Sequence, residues 1–368
     1  MADLFIGLMS GTSMDGIDAA LVDFSTDTPN ILATHSHSYP TALHRQLETA
    51  LQLEDPLAAD LTALYEAVGE VFAAATNELL AHAHYDPDSI AAIGSHGQTI
   101  RHEPDIATPY SLQIGNPARI ASLTNIDVVA DFRRADIEAG GQGAPLAPAF
   151  HRARFSSTAE NRVILNIGGI ANITTLPADT SKTATGFDTG PGNTLMDSWA
   201  SKHLNTAMDT DGQWAAAGEV NNTLLASMLT DTYLATAPPK STGREYFNAD
   251  WLSHYIARED IPAQTIQTTL CELTAQSIAT AIQTHAADTQ RLIVCGGGVH
   301  NRYLMERLQA NLPGMAIDTT AAHGLDPDWV EAAAFAWLAK QRLADKPGNI
   351  PEVTGANQPV LLGNLFRY

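Results

Sequence analysis

Leu4–Phe24, LFIGLMSGTSMDGIDAALVDF, and Arg162–Leu176, RVILNIGGIANITTL, are the two stretches that decide the fold. In the first, the apolar run Leu4–Met9 enters a loop rich in Gly, Ser, Thr and Asp (Ser10–Asp18). A second apolar run, Ala19–Phe24, follows. Strand, glycine-rich turn, strand is the expected reading. The second stretch repeats it: Val163–Ile167, the turn Gly168-Gly169, then Ile173–Leu176. Gly11 and Gly168 mark the same point of the two units, an offset of 157. A unit this size used twice predicts an α/β chain of two domains with an internal duplication.

Helical and strand-like segments alternate outside these stretches. Leu43, Leu47 and Leu51 recur every fourth residue. Leu57, Leu61, Leu64, Val68, Val71, Ala75 and Leu79 form a longer stripe beyond Pro56. Ile90–Gly94, Ser111–Gly115 and Asn125–Ala130 read as short apolar runs ending in polar turns. Later, Thr185–His203 reads as strand, turn and helix. A helix bearing Leu270, Leu273, Ile278 and Ile282 leads to a strand, Arg291–Cys295, and a helical stretch follows from Asn301. The Gly- and Pro-rich segment Ala139–Pro148 suggests a domain boundary nearby.

Composition narrows the function. The chain has 368 residues, 45% of them hydrophobic, enough for two cores. Its longest notable apolar run, Ala332–Ala339, has eight residues, far short of a bilayer span. The first residues carry no basic segment before their apolar run, which disfavours a secretory signal. We therefore expect a cytoplasmic protein with no membrane partner. With 41 acidic and 20 basic residues the net charge is −21, which disfavours nucleic acid. Cys271 and Cys295 cannot build a disulfide framework or a four-thiolate metal site.

Four glycine-rich segments offer chemistry. Gly11-Thr12-Ser13-Met14-Asp15-Gly16-Ile17-Asp18 presents backbone N–H and hydroxyl donors to a phosphate, and its carboxylates can hold magnesium through water. It lacks the Gly-Lys-Ser/Thr of a Walker loop. Asn166-Ile167-Gly168-Gly169 offers similar donors. Gly186–Asn193 forbids regular structure and leads to Asn193, a helix N-cap. Asp188 just before that helix is a candidate general base, with the helix end expected to favour its ionised form. Gly296-Gly297-Gly298 ends a strand and lets a flat or charged ligand approach the backbone, but misses the dinucleotide fingerprint. His96, Gln98 and Arg133 follow strand-like runs, where ligand loops of α/β sheets lie. Each also has an ordinary structural reading. His35/His37 and His82/His84 are spaced like metal pairs, but no third ligand accompanies either pair in the sequence.

These motifs together resemble the anhydro-N-acetylmuramic acid kinases of the actin-like ATPase and sugar-kinase superfamily. The matching segments are Gly7–Asp18, Gly94–Thr99, Ala130–Arg133, Gly140–Leu146, Asn166–Asn172, Phe187–Asn193, Pro239–Glu245, Cys295–Asn301 and Glu331–Leu338. The resemblance implies two actin-like (ribonuclease H-like) domains around an ATP cleft, residues 1–135 with about 342–368, and 136–341. It implies ATP with Mg2+, the phosphates near Gly11, Thr12, Ser13, Met14, Asp15, Gly16, Ile17 and Asp18. Asn166, Gly168, Gly169, Gly296, Gly297 and Gly298 complete the nucleotide site. Asp188 is then the base, and His96, Gln98, Arg133 and Glu331 serve the sugar. The direct magnesium ligands stay unassigned, and the resemblance allows a homodimer. The implied reaction opens 1,6-anhydro-N-acetylmuramic acid with water and phosphorylates O6 during cell-wall recycling. Two other readings remain at this stage. A kinase acting on a free hydroxyl would place no solvent oxygen at C1. An actin-like scaffold would turn over ATP without sugar and form filaments.

Overall fold

The computed structural model describes residues 3–11, 14, 16–26, 28–256 and 260–368. Thr12, Ser13 and Asp15 of the first glycine-rich loop lie outside them. Among the described residues the strands form a seven-stranded and a five-stranded sheet.

The first sheet contains β1 (Leu4–Ser10), β2 (Ile17–Asp23), β3 (Asn30–His37), β4 (Ala92–Glu103), β5 (Tyr110–Ile114) and β6 (Val128–Ala130). The second contains β7 (Arg162–Ile167), β8 (Ile170–Leu176), β9 (Thr185–Pro191), β10 (Arg291–Cys295) and β11 (Ala316–Thr319). A short C-terminal strand, β12 (Asn364–Phe366), pairs antiparallel with β6. In the first sheet β3, β2 and β1 are antiparallel neighbours, and β4 and β6 follow in parallel. In the second, β9, β8 and β7 are antiparallel and β10 and β11 follow in parallel. Five strands of the first sheet share the layout of the second, with β5 and β12 added. The expected pair of actin-like, ribonuclease H-like domains is therefore present as a duplication, with Gly11 and Gly168 in equivalent hairpin turns.

The chain divides into two units, Met1–Arg154 with Trp329–Tyr368, and Phe155–Asp328. These limits differ from the expected 1–135 with 342–368 and 136–341. The reason lies in two segments that belong with the first sheet. Asp136 is wholly buried and accepts from Gly143 N (2.8 Å), Asn349 Nδ2 (2.6 Å) and Thr354 Oγ1 (2.7 Å), which ties 136–143 to the C-terminal segment. The helix Val330–Leu343 packs on β1 and β4.

That packing has a clear sequence cause. The helix face is alanine-rich (Ala332, Ala333, Ala336 and Ala339, all buried) and meets glycines on the strands. A Cβ on Gly7 would overlap the Ala332 carbonyl, and one on Gly94 would overlap the Phe335 carbonyl. Only glycine permits so close a helix-to-sheet approach. The approach brings Phe335 against His96 (ring centroids 4.8 Å) and Phe132 (5.5 Å), and it sets Glu331 at the start of the helix.

The long stripe forms the helix Thr62–Ala83, five residues shorter at its start than the stripe beginning at Leu57. Asp55 Oδ1 accepts from Leu57 N (3.1 Å) and Ala58 N (3.2 Å), and Asp60 Oδ1 accepts from Thr62 N (3.1 Å). These local bonds offer the backbone an alternative to helix. Leu57 is left 60% exposed. In the second unit the helix Ala263–His285 is buried nearly all round. Two of its buried threonines bond to backbone carbonyls: Thr268 Oγ1 donates to Ala215 O (2.6 Å) and Thr274 Oγ1 to Gly192 O (3.0 Å). The second bond anchors the glycine-rich segment after Asp188. Among the described residues no helix is long and apolar enough to cross a membrane.

Candidate active site

In the first unit the candidate residues converge around the end of β1. Ser10 Oγ, the last side chain of β1, lies 2.8 Å from Gly16 O and 2.7 Å from Gln98 Oε1. Gln98 Nε2 donates to Gly11 O (3.2 Å). Tyr39 reaches in from beyond β3 and donates to Ser10 Oγ (3.1 Å) and Gln98 Oε1 (3.3 Å). Burial raises the Tyr39 phenol far above its ordinary range, so it stays a donor. Met14 closes the turn with its N–H on Gly11 O (3.1 Å), takes φ of 57° and buries its side chain. The loop is thus held at both ends: Gly11 and Gly16 each accept a bond from a buried side chain. Gln98 is wholly buried, and its amide is spent on the loop and on Thr99 O (3.3 Å). Ile17 is buried at the start of β2, and Asp18 beside it accepts from Ser36 Oγ (2.8 Å).

Beyond β4 and β6, Arg133 forms a second cluster. Its Nη2 and Nε donate to His96 Nε2 (2.8 and 3.3 Å), and its Nη1 donates to Gly143 O (2.8 Å). A guanidinium has no lone pair, so His96 Nε2 is the acceptor and Nδ1 carries the ring proton. Burial, then the Arg133 charge, drives the His96 pKa well below its ordinary value. His96 is therefore neutral and orients Arg133. Burial also lowers Arg133 to about 10, still fully charged at neutral pH, while the charges of Glu331 and Asp136 oppose that fall. Glu331 reaches solvent in the first helical turn. Its carboxyl is raised by the protein around it, and Arg133 pulls it back. A fixed cation beside a neutral imidazole and a carboxylate suits an anionic, hydroxyl-rich ligand.

In the second unit the segment expected to forbid regular structure forms β9 up to Pro191, its glycines and proline tolerated in pairing with β8, and Asp188 sits within it, opposite Asn172, and not at the helix end. The helix itself starts at Thr194. Thr242 N donates to Asp188 Oδ2 (2.9 Å). Tyr233 Oη donates to Asp188 O (2.9 Å), and Asp188 N donates to Lys240 O (3.2 Å). Desolvation raises the Asp188 carboxyl to about 6, against the Thr242 N–H and the Lys240 charge that lower it. This corrects the expectation that a helix end would favour ionisation: the helix is too far along the chain, and burial dominates. The result places the group near the working range of a general base. Lys240 is held by its own bonds to Tyr233 O (3.0 Å) and Leu234 O (3.3 Å).

The remaining glycines line the same unit. Asn193 is the residue before the helix, but its side chain donates to Ile167 O (3.3 Å) and makes no cap bond. The backbone N–H groups of Gly192, Asn193 and Thr194 donate to the carbonyls of Gly169 and Gly168, which fixes that turn against the helix start. Arg244 lies over Gly169, its Nε 2.7 Å from the place a Cβ would occupy. Gly296, with φ of 80°, passes so close to Asn166 that a Cβ would overlap its Oδ1. Gly298 is likewise pressed against Ile167. Gly297 differs, since a Cβ there would meet nothing within 4 Å, and one on Gly168 would meet only Ile170 O at 3.6 Å. Uncovered backbone at these two turns fits the approach of a nucleotide. Nothing in the sequence singles out Ser10, Tyr39, Thr242, Lys240 and Arg244 as site residues. The glycines around them were the available signal.

Comparison with known proteins finds one family along the chain. The description of the family "Anhydro-N-acetylmuramic acid kinase" matches residues 3–368. A relative so named from Coxiella burnetii (strain RSA 493 / Nine Mile phase I) is 50% identical over 362 residues, 98% of this chain and 97% of the relative. One from Shewanella oneidensis is 50% identical over 363 residues, 98% of each chain. Among solved structures, a ROK family glucokinase from Streptomyces griseus in complex with glucose and AMPPNP aligns over 92% of this chain, at 15% identity and a TM-score of 0.42.

Proposed function

The chain belongs to the anhydro-N-acetylmuramic acid kinase family, and on that premise we propose that it uses ATP to open and phosphorylate 1,6-anhydro-N-acetylmuramic acid. The products are N-acetylmuramic acid 6-phosphate and ADP, in the cytoplasmic recycling of cell-wall sugars. The observation that carries this reading is the match of half of all residues along nearly the full length of both chains.

The residue chemistry supports a specific sequence of events. The bridge oxygen O6 is the future phosphate acceptor and carries no proton, so it needs no base. The water that attacks C1 does need one. Asp188 takes that proton, the C1–O6 bond breaks as C1 gains the water oxygen, and O6 takes the γ-phosphoryl group of ATP. The proton on Asp188 later returns to solvent. Thr242 N and the Lys240 charge hold the base ionised at neutral pH despite its burial. Positioning and fixed charge carry the phosphoryl step. The Gly11–Gly16 loop, braced by Ser10 and Gln98, binds phosphate; Gln98 thus serves through the loop. Gly168 and Gly297 receive the rest of the nucleotide. Arg133, oriented by His96, pairs with the lactyl carboxylate of the sugar, with Glu331 beside it.

Magnesium fits the donor set at the loop, where the Asp18 carboxylate supplies hard oxygen at the start of β2. When bound, it would offset phosphate charge next to this acidic chain. The test is ADP release with 1,6-anhydro-N-acetylmuramic acid, compared with the open sugar. Sugar-dependent release restricted to the anhydro form supports the reading. Equal release with the open sugar would replace it by a kinase of free hydroxyls.

A further inference from the structure

His35 and His37 of β3 are spaced like a metal pair that lacks a third ligand in the sequence, and the fold supplies one. β3 is the edge strand of the first sheet. Ile31, Ala33, His35 and His37 alternate with the exposed Asn30, Leu32, Thr34 and Ser36. The helix Thr62–Ala83 packs over β3. A spacing of two on a strand puts both imidazoles on one side. Glu78 on the helix meets them there. His35 Nε2 is 2.8 Å and His37 Nδ1 3.0 Å from the same oxygen, Glu78 Oε2. One ligand atom from each of the three lies within 4.8 Å of the others. His82, one helical turn after Glu78, stands edge-on to His35 with ring centroids 5.2 Å apart.

We propose that His35, His37 and Glu78 form a binding site for one zinc-type divalent transition ion, outside the site described above. Two imidazole nitrogens and a carboxylate oxygen are the donor set of known three-ligand zinc sites, with water in the fourth position. Zinc–ligand bonds of about 2.0–2.2 Å put tetrahedral ligand atoms about 3.3–3.5 Å apart. The two histidine-to-Glu78 separations need to open by only about half an ångström, and the two imidazole nitrogens already lie within 4.8 Å of each other. Glu78 is exposed and the two histidines are partly so, which leaves the side chains room to make that change and gives the ion a route from solvent. On binding, His35 Nε2 and His37 Nδ1 present lone pairs, and each neutral ring keeps its proton on the other nitrogen.

The ion would fasten an edge strand to the helix that covers it. The position also bears on the phosphate loop. His37 pairs in register with Ile17, the residue after Gly16, and Tyr39 two residues on bonds Ser10. A clamp at His35 and His37 therefore holds the strand against which the end of that loop is paired.

The test uses full-length protein stripped with a chelator and titrated calorimetrically with zinc chloride. The proposal predicts one saturable site, and zinc-dependent protection against thermal unfolding. His37→Ala and Glu78→Gln should each weaken binding at least about tenfold, the loss that even an outer-shell partner causes. The conservative Glu78→Gln change keeps the shape of the side chain, and far-UV circular dichroism without zinc checks that both variants fold. His254→Ala, on a helix of the other unit, should bind zinc like the wild type. Absence of a saturable site in the wild type would overturn the proposal. So would unchanged affinity in folded His37→Ala and Glu78→Gln.

Discussion

Asp188→Asn should abolish most of the activity and still make the protein more stable at neutral pH. The carboxyl is raised from 3.8 to about 6 by burial. A raised acid pKa means that the folded state holds its proton more tightly than the unfolded chain does. The penalty is absent below the unfolded value and grows as pH rises. It is complete once pH passes the folded value. At 1.36 kcal/mol per pH unit, it reaches about 3 kcal/mol at pH 7 and about half that at pH 5. Asparagine carries no charge to desolvate, and its side-chain oxygen can still accept from Thr242 N. The gain is an upper limit, because the amide must also be buried. The base contributes about 10²–10⁴-fold to rate. The assays are chemical denaturation of both proteins at pH 7 and pH 5, with steady-state kinetics alongside. The wild type should gain activity as pH rises through about 6, as the base ionises. The variant should lack that limb. A variant less stable than the wild type at pH 7, or a stability difference that does not shrink at pH 5, would refute the reasoning. Near wild-type turnover in a folded Asp188→Asn would remove the base assignment itself.

Further outcomes follow from the geometry. Gly297→Ala adds a methyl group into space with no neighbour within 4 Å, so it should leave the melting temperature unchanged and raise the KM for ATP several-fold; an unchanged KM would free that turn of nucleotide. Arg133→Ala should raise the sugar KM about tenfold or more with little change for ATP, since a charge-assisted contact contributes about 1.5–3 kcal/mol; an unchanged sugar KM would end its pairing with the carboxylate. Asp136→Ala leaves three buried donors without their acceptor and should destabilise the first unit by about 3 kcal/mol or more, measured by denaturation. It should also raise the sugar KM, because Gly143 O holds Arg133.

The duplication and the glycine turns were legible because they rest on local pattern. Buried β1 and β7 read as continuous apolar runs, and the turns between hairpin strands need glycine. β3 was not legible, and its sequence shows why. An edge strand half-covered by a helix alternates moderately apolar and polar residues, and two of its inward residues are histidines. The sequence also hides Asp136, whose partners Asn349 and Thr354 lie more than 200 residues away. The domain limits moved for the same reason. The roles of His96 and Gln98 were half legible. The sequence places both after a strand-like run, whereas they lie within β4, the first turned to Arg133 and the second to the loop. What sets the Asp188 pKa is not legible, because proximity in sequence to a helix does not put a strand residue at its end, and burial dominates instead.

The most direct measurement of the central claim is the fate of solvent oxygen. The enzyme would be run with 1,6-anhydro-N-acetylmuramic acid and ATP in oxygen-18 water, and the sugar phosphate read by mass spectrometry after quenching before anomeric exchange. Attack of water at C1 with transfer to O6 predicts one heavy oxygen, at C1, for each ADP released. Sugar phosphate that carries no heavy oxygen at C1 would contradict the account.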